Sequence, residues 1–159
     1  MPLSPSALAR LQHQHETIHE LTGDLSEQQL RRTVNPGKWS AFDNIAHLAC
    51  YQGIFLARLE RIQMEASPAF NAYVADIDPN FTGYQQRSLP HLLTSIDSRR
   101  SIIRNKLQGM NEDALLRTAT HLRYGLLDTV QWTEFFLLHE AHHLYTIFML
   151  VQGLRKPLQ

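Results

Sequence analysis

Six residues in the middle of the chain, Ile45, Leu48, Gln52, Phe55, Leu59 and Ile62, follow one another by steps of 3, 4, 3, 4 and 3. A seam of this kind belongs to an α-helix packed against near-parallel neighbours, and no strand presents it. Ser40 with Asp43 predicts a capped start for this helix, and Ser67-Pro68 predicts a stop near Glu65. Three further segments share the period. The first runs from Ser4-Pro5 to Gly23, with Leu8, Leu11, His15, Ile18 and Thr22 on one face, and a short turn, Ser26 to Arg32, follows it. Another spans Ser88 to Gln108, with Pro90 in its first turn and Leu92, Leu93, Ile96, Ile103 and Leu107 on its apolar face. The last starts at Asp128, where Asp128 and Gln131 have capping-box spacing, and ends near Gly153, ahead of Lys156-Pro157. Four long helices predict an all-α four-helix bundle with a long crossover loop. That loop is residues 68–87, which contain Pro79, Gly83 and the aromatic residues Phe70, Tyr73, Phe81 and Tyr84; it has room for a short helical turn, and its length suits a crossover or a lid over a site. Asn111 to Arg117 reads as one more short helix, and residues 118–127 read as irregular.

A chain of 159 residues fits one domain, residues 1–159, with enough material for a full core. Fifteen basic and 15 acidic residues leave no general field to attract a phosphate backbone, so no nucleic-acid partner is expected. The one dense basic cluster is short: Arg99, Arg100, Arg104 and Lys106. The single cysteine, Cys50, rules out an intramolecular disulfide and reads as a small buried filler. Residues 1–11 do not have the form of a signal peptide. The longest apolar stretch, Phe135 to Val151, is interrupted by His139, Glu140, His142 and His143. The expectation is a cytoplasmic protein without a membrane partner.

Histidine is the unusual component, with nine in all. His139 and His143, four residues apart, lie one turn apart on the line Trp132, Phe136, His139, His143, Ile147, Leu150. Polar rings on an apolar stripe need partners: either hydrogen bonds within the core or a shared metal ion. Two ligands are too few for a tight site, so a metal would need a third ligand from another helix. His47, beside the second helix's seam, is one source; His15 and His19, themselves four apart on the core side of helix one, are others. His13, His91 and His121 lack a patterned context and are expected to face solvent, and His142 sits about 100° round the helix from His143.

His139-Glu140-Ala141-His142-His143 contains the H-E-x-x-H string of zinc peptidases, in which the Glu is a general base. The chain leaves little room for such a peptidase, and Glu140, off the core stripe, reads as a solvated charge.

Asn35-Pro36-Gly37-Lys38-Trp39-Ser40, then Ala46-His47-Leu48, then His139 to His143 with its doubled histidine, together resemble the DinB-like superfamily. The likeness runs in that family's order over nearly the whole chain. It implies a four-helix bundle, often dimeric, and a three-histidine site of His47, His139 and His143, which places His47 ahead of His15 as the third ligand. Relatives include metal-dependent thiol S-transferases that join bacillithiol, mycothiol or glutathione to an electrophile, metal-dependent isomerases and hydrolases, and proteins without assigned activity; the family alone does not fix the reaction. One departure is Thr146, near where many members carry Gln.

A three-histidine site leaves room for water or substrate. Imidazole donors suit Zn²⁺ and Ni²⁺, and Fe²⁺ or Mn²⁺ less tightly. A coordinated thiol loses its proton near neutral pH, which makes thiol transfer to a small-molecule substrate the leading reading; activated water gives hydrolysis as the second. The rival class is a metal-binding or dimerising bundle without turnover, and Phe135, Leu138 and Met149 give the last helix a further apolar side suited to a homodimer. Asp43 and Glu140 are candidates to orient a ligand imidazole. Trp39 and Tyr51 are either core anchors or pocket walls. The site requires ring nitrogens about 3–3.5 Å apart, as ligands of one ion are.

Overall fold

The computed structural model describes residues 2–155. Helix α1 (Pro5–His13) and α2 (Thr17–Thr22) form the first rod, followed by the short α3 (Glu27–Leu30). The second rod is α4 (Ala41–Met64). After it come β1 (Ala69–Phe70) and α5 (Pro79–Gln85), then the third rod α6 (Leu89–Gln108) and the short α7 (Glu112–Leu116). Strands β2 (Thr118–His121) and β3 (Gly125–Asp128) lead into the fourth rod, α8 (Thr129–Arg155). Helix α4 packs on both α6 and α8, and α1 packs on the same two, so α6 and α8 stand diagonally across the bundle.

The helix starts follow local chemistry. Ser4 accepts from the Ala7 N–H with Pro5 behind it, and Ser26 and Ser40 close reciprocal boxes with Gln29 and Asp43. The Asp128 and Gln131 side chains each accept the other's backbone N–H, at 2.7 and 2.9 Å, as their spacing predicts. Asn35-Pro36-Gly37-Lys38 closes a turn, with Lys38 N–H donating to the Asn35 carbonyl at 3.1 Å and Gly37 at φ 72°, which L side chains rarely adopt. This turn delivers Trp39 to the mouth of α4. Every residue of the α4 seam is buried.

Two expectations are corrected. The first helix is not continuous: residues 14–16 tighten into a 3-10 turn where Gln14 reaches across to α8, donating to the Leu137 carbonyl at 2.9 Å and to Glu140 at 2.8 Å. Residues 118–127 are not irregular. They form most of a hairpin, β2 antiparallel to β3, with β1 added parallel to β2, so a small three-stranded sheet, β1-β2-β3, caps the helical bundle. The signals were Gly125 at φ 83° and the β-branched Thr118 and Thr120. The crossover segment also folds: residues 75–77 make a 3-10 turn, Asp78-Pro79 caps α5, and Phe81 and Tyr84 bury its inner face. Among the described residues no helix is long and apolar enough to cross a membrane.

Candidate metal centre

His47 leaves α4 in its second turn, where the inward face is fully packed; the ring is 4 % exposed. His139 and His143 come from successive turns of α8, which lies against α4. The three ring centroids are 4.4 Å (His47–His143), 4.7 Å (His139–His143) and 5.0 Å (His47–His139) apart. The Nε2 atoms of His47 and His139 are 3.1 Å apart, and one ligating nitrogen from each ring lies within 4.8 Å of the other two. The first separation matches two ligands of one ion; the set as a whole is slightly wider.

Burial lowers the pKa of each ring, to about 4 for His47, about 3 for His143 and about 2 for His139; for the two α8 rings the neighbouring histidines lower it further. All three are therefore neutral at pH 7, with a nitrogen lone pair each. The Nδ1 of His143 faces Asn44 Oδ1 at 2.8 Å; a proton on that nitrogen leaves Nε2 with the free lone pair. The Nδ1 atoms of His47 and His139 are buried without a hydrogen-bond partner. A hydrogen bond between the two Nε2 atoms at 3.1 Å would serve that pair alone, whereas one cation takes a lone pair from all three rings. The donor set thus fits a divalent ion.

Asn44, one turn before His47, had not been singled out; a buried amide three residues from a candidate ligand on the same helix is the signal that could have found it. Neither carboxylate expected to orient a ring does so. Asp43 is held by Ser40 and by Gln85 at 2.8 Å. Glu140 is not a solvated charge: it is 1 % exposed and paired with Arg100, and it also accepts from Gln14 and Gln52. It faces the bundle centre, away from the three rings, and cannot serve as a peptidase base. His15 and His19 join Asp97 of α6, at 3.8 and 3.3 Å, and take no part in the cluster. His13, His91 and His142 are exposed, but His121 is buried: its Nδ1 accepts the backbone N–H groups of Arg123 and Tyr124 and so shapes the hairpin turn.

Aromatic rings wall the site. Trp39 lies 5.2 Å from His47 and donates through Nε1 to Asp76 at 3.1 Å; Tyr73 and Phe81, from the crossover segment, lie 5.6 and 6.0 Å from His47. Tyr51 packs 4.1 Å from His139. So the crossover segment, with its short helical turns, lies against the site. Cys50 is buried with its thiol 3.5 Å from the Tyr73 hydroxyl, and burial pushes its pKa up, which suits a filler and not a nucleophile. On the His143 side a cavity of about 440 Å³ is lined by Trp39, Asp76, His142, His143 and Thr146; the Thr146 hydroxyl is turned back to the His142 carbonyl at 3.0 Å. The basic cluster on α6 makes no continuous patch, since Arg100 is buried with Glu140 and Lys106 pairs with Glu60.

A family model described as the DinB superfamily matches residues 10–147. No curated protein matches the chain. Among solved structures, YfiT from Bacillus subtilis, described as a probable metal-dependent hydrolase with an unusual four-helix bundle topology, superposes with a TM-score of 0.81 at 15 % identity, over 92 % of this chain and 85 % of that one. TT2238, described as a four-helix bundle protein, superposes with a TM-score of 0.66 at 20 % identity, over 89 % of this chain and 95 % of that one.

Proposed function

The chain belongs to the DinB superfamily, and from that membership and its three clustered imidazoles we propose that it is a metal-dependent enzyme whose His47, His139 and His143 hold one divalent ion, Zn²⁺ or Ni²⁺ before Fe²⁺ or Mn²⁺. A bound divalent ion would bring a coordinated thiol or water to its deprotonated form near neutral pH. The observation that carries the reading is the juxtaposition of three neutral, half-buried to buried imidazoles at the interface between α4 and α8.

Thiol S-transfer is the favoured chemistry. Its sum is thiol plus electrophile giving thioether plus the protonated leaving group. Among the described residues no carboxylate hydrogen-bonds to any of the three rings, so the site lacks a general base held against its ligands, and a thiol needs none once its proton is lost on binding. Asn44 holds His143 in one orientation, Trp39 and Tyr73 restrict water, and the cavity at His143 gives the electrophile room. Hydrolysis is the second reading. It is favoured by Asp76, whose carboxylate lines that same cavity, and by the description of YfiT. The stripe Leu138, Tyr145 and Met149 along α8, at 62, 65 and 52 % exposure, supports a homodimer, checked by sedimentation equilibrium.

The test starts from untagged protein. Elemental analysis should find about one divalent metal per chain, lost in His139→Ala. Thiol consumption with 1-chloro-2,4-dinitrobenzene should then depend on that metal. Metal without turnover across several thiols and ester substrates would make the chain a binding module, and wild-type protein free of metal after reconstitution would leave the three rings as core histidines.

A further inference from the structure

Arg58 of α4 is 8 % exposed, and none of the ion pairs among the described residues includes it. Its guanidinium donates to the Tyr51 hydroxyl at 3.2 Å and to the Asn71 carbonyl at 2.9 Å, both neutral acceptors. The Tyr51, Phe70 and Trp132 rings lie 5.4–5.9 Å from its guanidinium carbon and offset part of the cost of burial, but none is a counter-charge, and of the five N–H donors of a guanidinium these bonds use two. The Tyr51 hydroxyl, having accepted from Arg58, keeps its own hydrogen to donate. Arg123, on the hairpin turn, likewise has no carboxylate partner among the described residues and rests against the Tyr124 ring. Arg58, Arg123, Tyr51, Tyr73 and His121 share the wall of one small cavity, of about 100 Å³, with His139. No carboxylate lines it.

We infer that this cavity receives the carboxylate of an anionic substrate, held by Arg58 and Tyr51 with Arg123 at the rim, so that the reacting end lies at the three histidines. The inference rests on the proposed metal site for the second half of that statement only. The planar fork of Arg58 matches a carboxylate, and a cavity of about 100 Å³ takes a carboxylate and a carbon or two, not a whole substrate. A second, larger cavity, of about 440 Å³, is lined by His143 as this one is lined by His139, and leaves room there for a co-substrate. Arg58 therefore selects the substrate by charge, and the ion at the histidines acts on the atom beside it.

The first experiment uses metal-free protein, so that it does not depend on the metal reading. The Arg58 and Arg123 side-chain Nε–H signals, assigned with Arg58→Lys and Arg123→Gln, are followed by NMR during titration with acetate, acetamide or inorganic phosphate. Acetate is expected to shift the Arg58 signal saturably and acetamide to leave it in place. Arg123→Gln, on the exposed turn, should weaken acetate binding by about two- to fivefold, the size of a rim charge. An Arg58 signal indifferent to acetate, or equally responsive to acetamide, overturns the inference, as does phosphate binding more tightly than acetate. In the second, cobalt-loaded protein is titrated with N-acetylcysteine and with N-acetylcysteinamide while the visible absorption of the cobalt is read. The acid should bind at least about tenfold more tightly, as a charge-assisted pair allows, and Arg58→Lys should narrow the ratio. Equal binding of both with cobalt in place sinks the carboxylate site and spares the metal site. A saturable acetate shift in a protein that takes up no cobalt does the reverse.

Discussion

At the scale of single residues, the site is arranged by a few short contacts whose removal has separable effects. Asn44 is the partner of the His143 ring at 2.8 Å, and its amide also donates to the Ser40 carbonyl at 2.8 Å. Asn44→Ala is expected to weaken metal binding by about 10–100-fold, the usual effect of losing such a partner. Competition with a chromophoric chelator measures it, and unchanged affinity would mean that His143 is oriented by packing alone. Both histidines of α8 were legible in the sequence, because their i, i+4 spacing on an apolar stripe is a property of one helix. Trp39, Tyr51 and the aromatic crossover residues were legible as candidates for the wall, but Asn44 was not, because its contact with His143 joins segments far apart in the chain. Glu140 shows the limit in the other direction. Its place off the stripe predicted solvent, but α8 is covered on more than one side, and the residue meets Arg100 across the bundle.

At the scale of elements, that ion pair is the centre of a network with one member from each rod. Gln14 follows α1, Gln52 lies on α4, Arg100 on α6 and Glu140 on α8; Gln14, Gln52 and Arg100 all donate to the Glu140 carboxylate, and Arg100 Nε also donates to the Gln52 Oε1 at 3.4 Å. A buried charge left alone is worse than none. Glu140→Leu should therefore destabilise the protein by about 3–5 kcal/mol in urea unfolding, and the double variant Arg100→Leu with Glu140→Leu by clearly less. Additive losses would show that the pair is not coupled. The hairpin offers a backbone test. Gly125 sits at φ 83° with nothing near the position of a Cβ, so Gly125→Ala carries only the backbone penalty, about 1–2 kcal/mol, seen as a lower urea midpoint. The helix starts were legible because each cap is a local pattern of three or four residues. The sheet was less so: β3 folds back on β2 beside Gly125, a local signal, but β2 finds its other partner in β1, about 50 residues earlier by the register Ala69↔Thr120, and long-range pairing leaves little trace in a window of sequence.

At the scale of the whole molecule, burying neutral histidines ties stability to pH. The folded pKa values of about 4 for His47 and His15, about 3 for His143 and about 2 for His139 lie below the ordinary 6.5. Between pH 6.5 and those values the unfolded chain takes up protons that the folded chain refuses, so stability present above pH 6.5 is lost as pH falls, at up to about 1.4 kcal/mol per site for each pH unit. The urea midpoint of metal-free protein should fall steadily from pH 7 to pH 4.5, and a flat midpoint would show that the rings are more solvated than their packing indicates. The amino-acid sequence by itself determined the four rods, their caps and the pairing of His139 with His143, because helical period and capping are set by neighbours within a few residues. Only the tertiary structure decided that α4 lies beside α8, bringing His47 to the other two rings, that Glu140 turns inward, and that Arg58 is buried beside the site without a counter-charge. Those outcomes depend on which faces pack together, and burial energy is settled between rods, not along them.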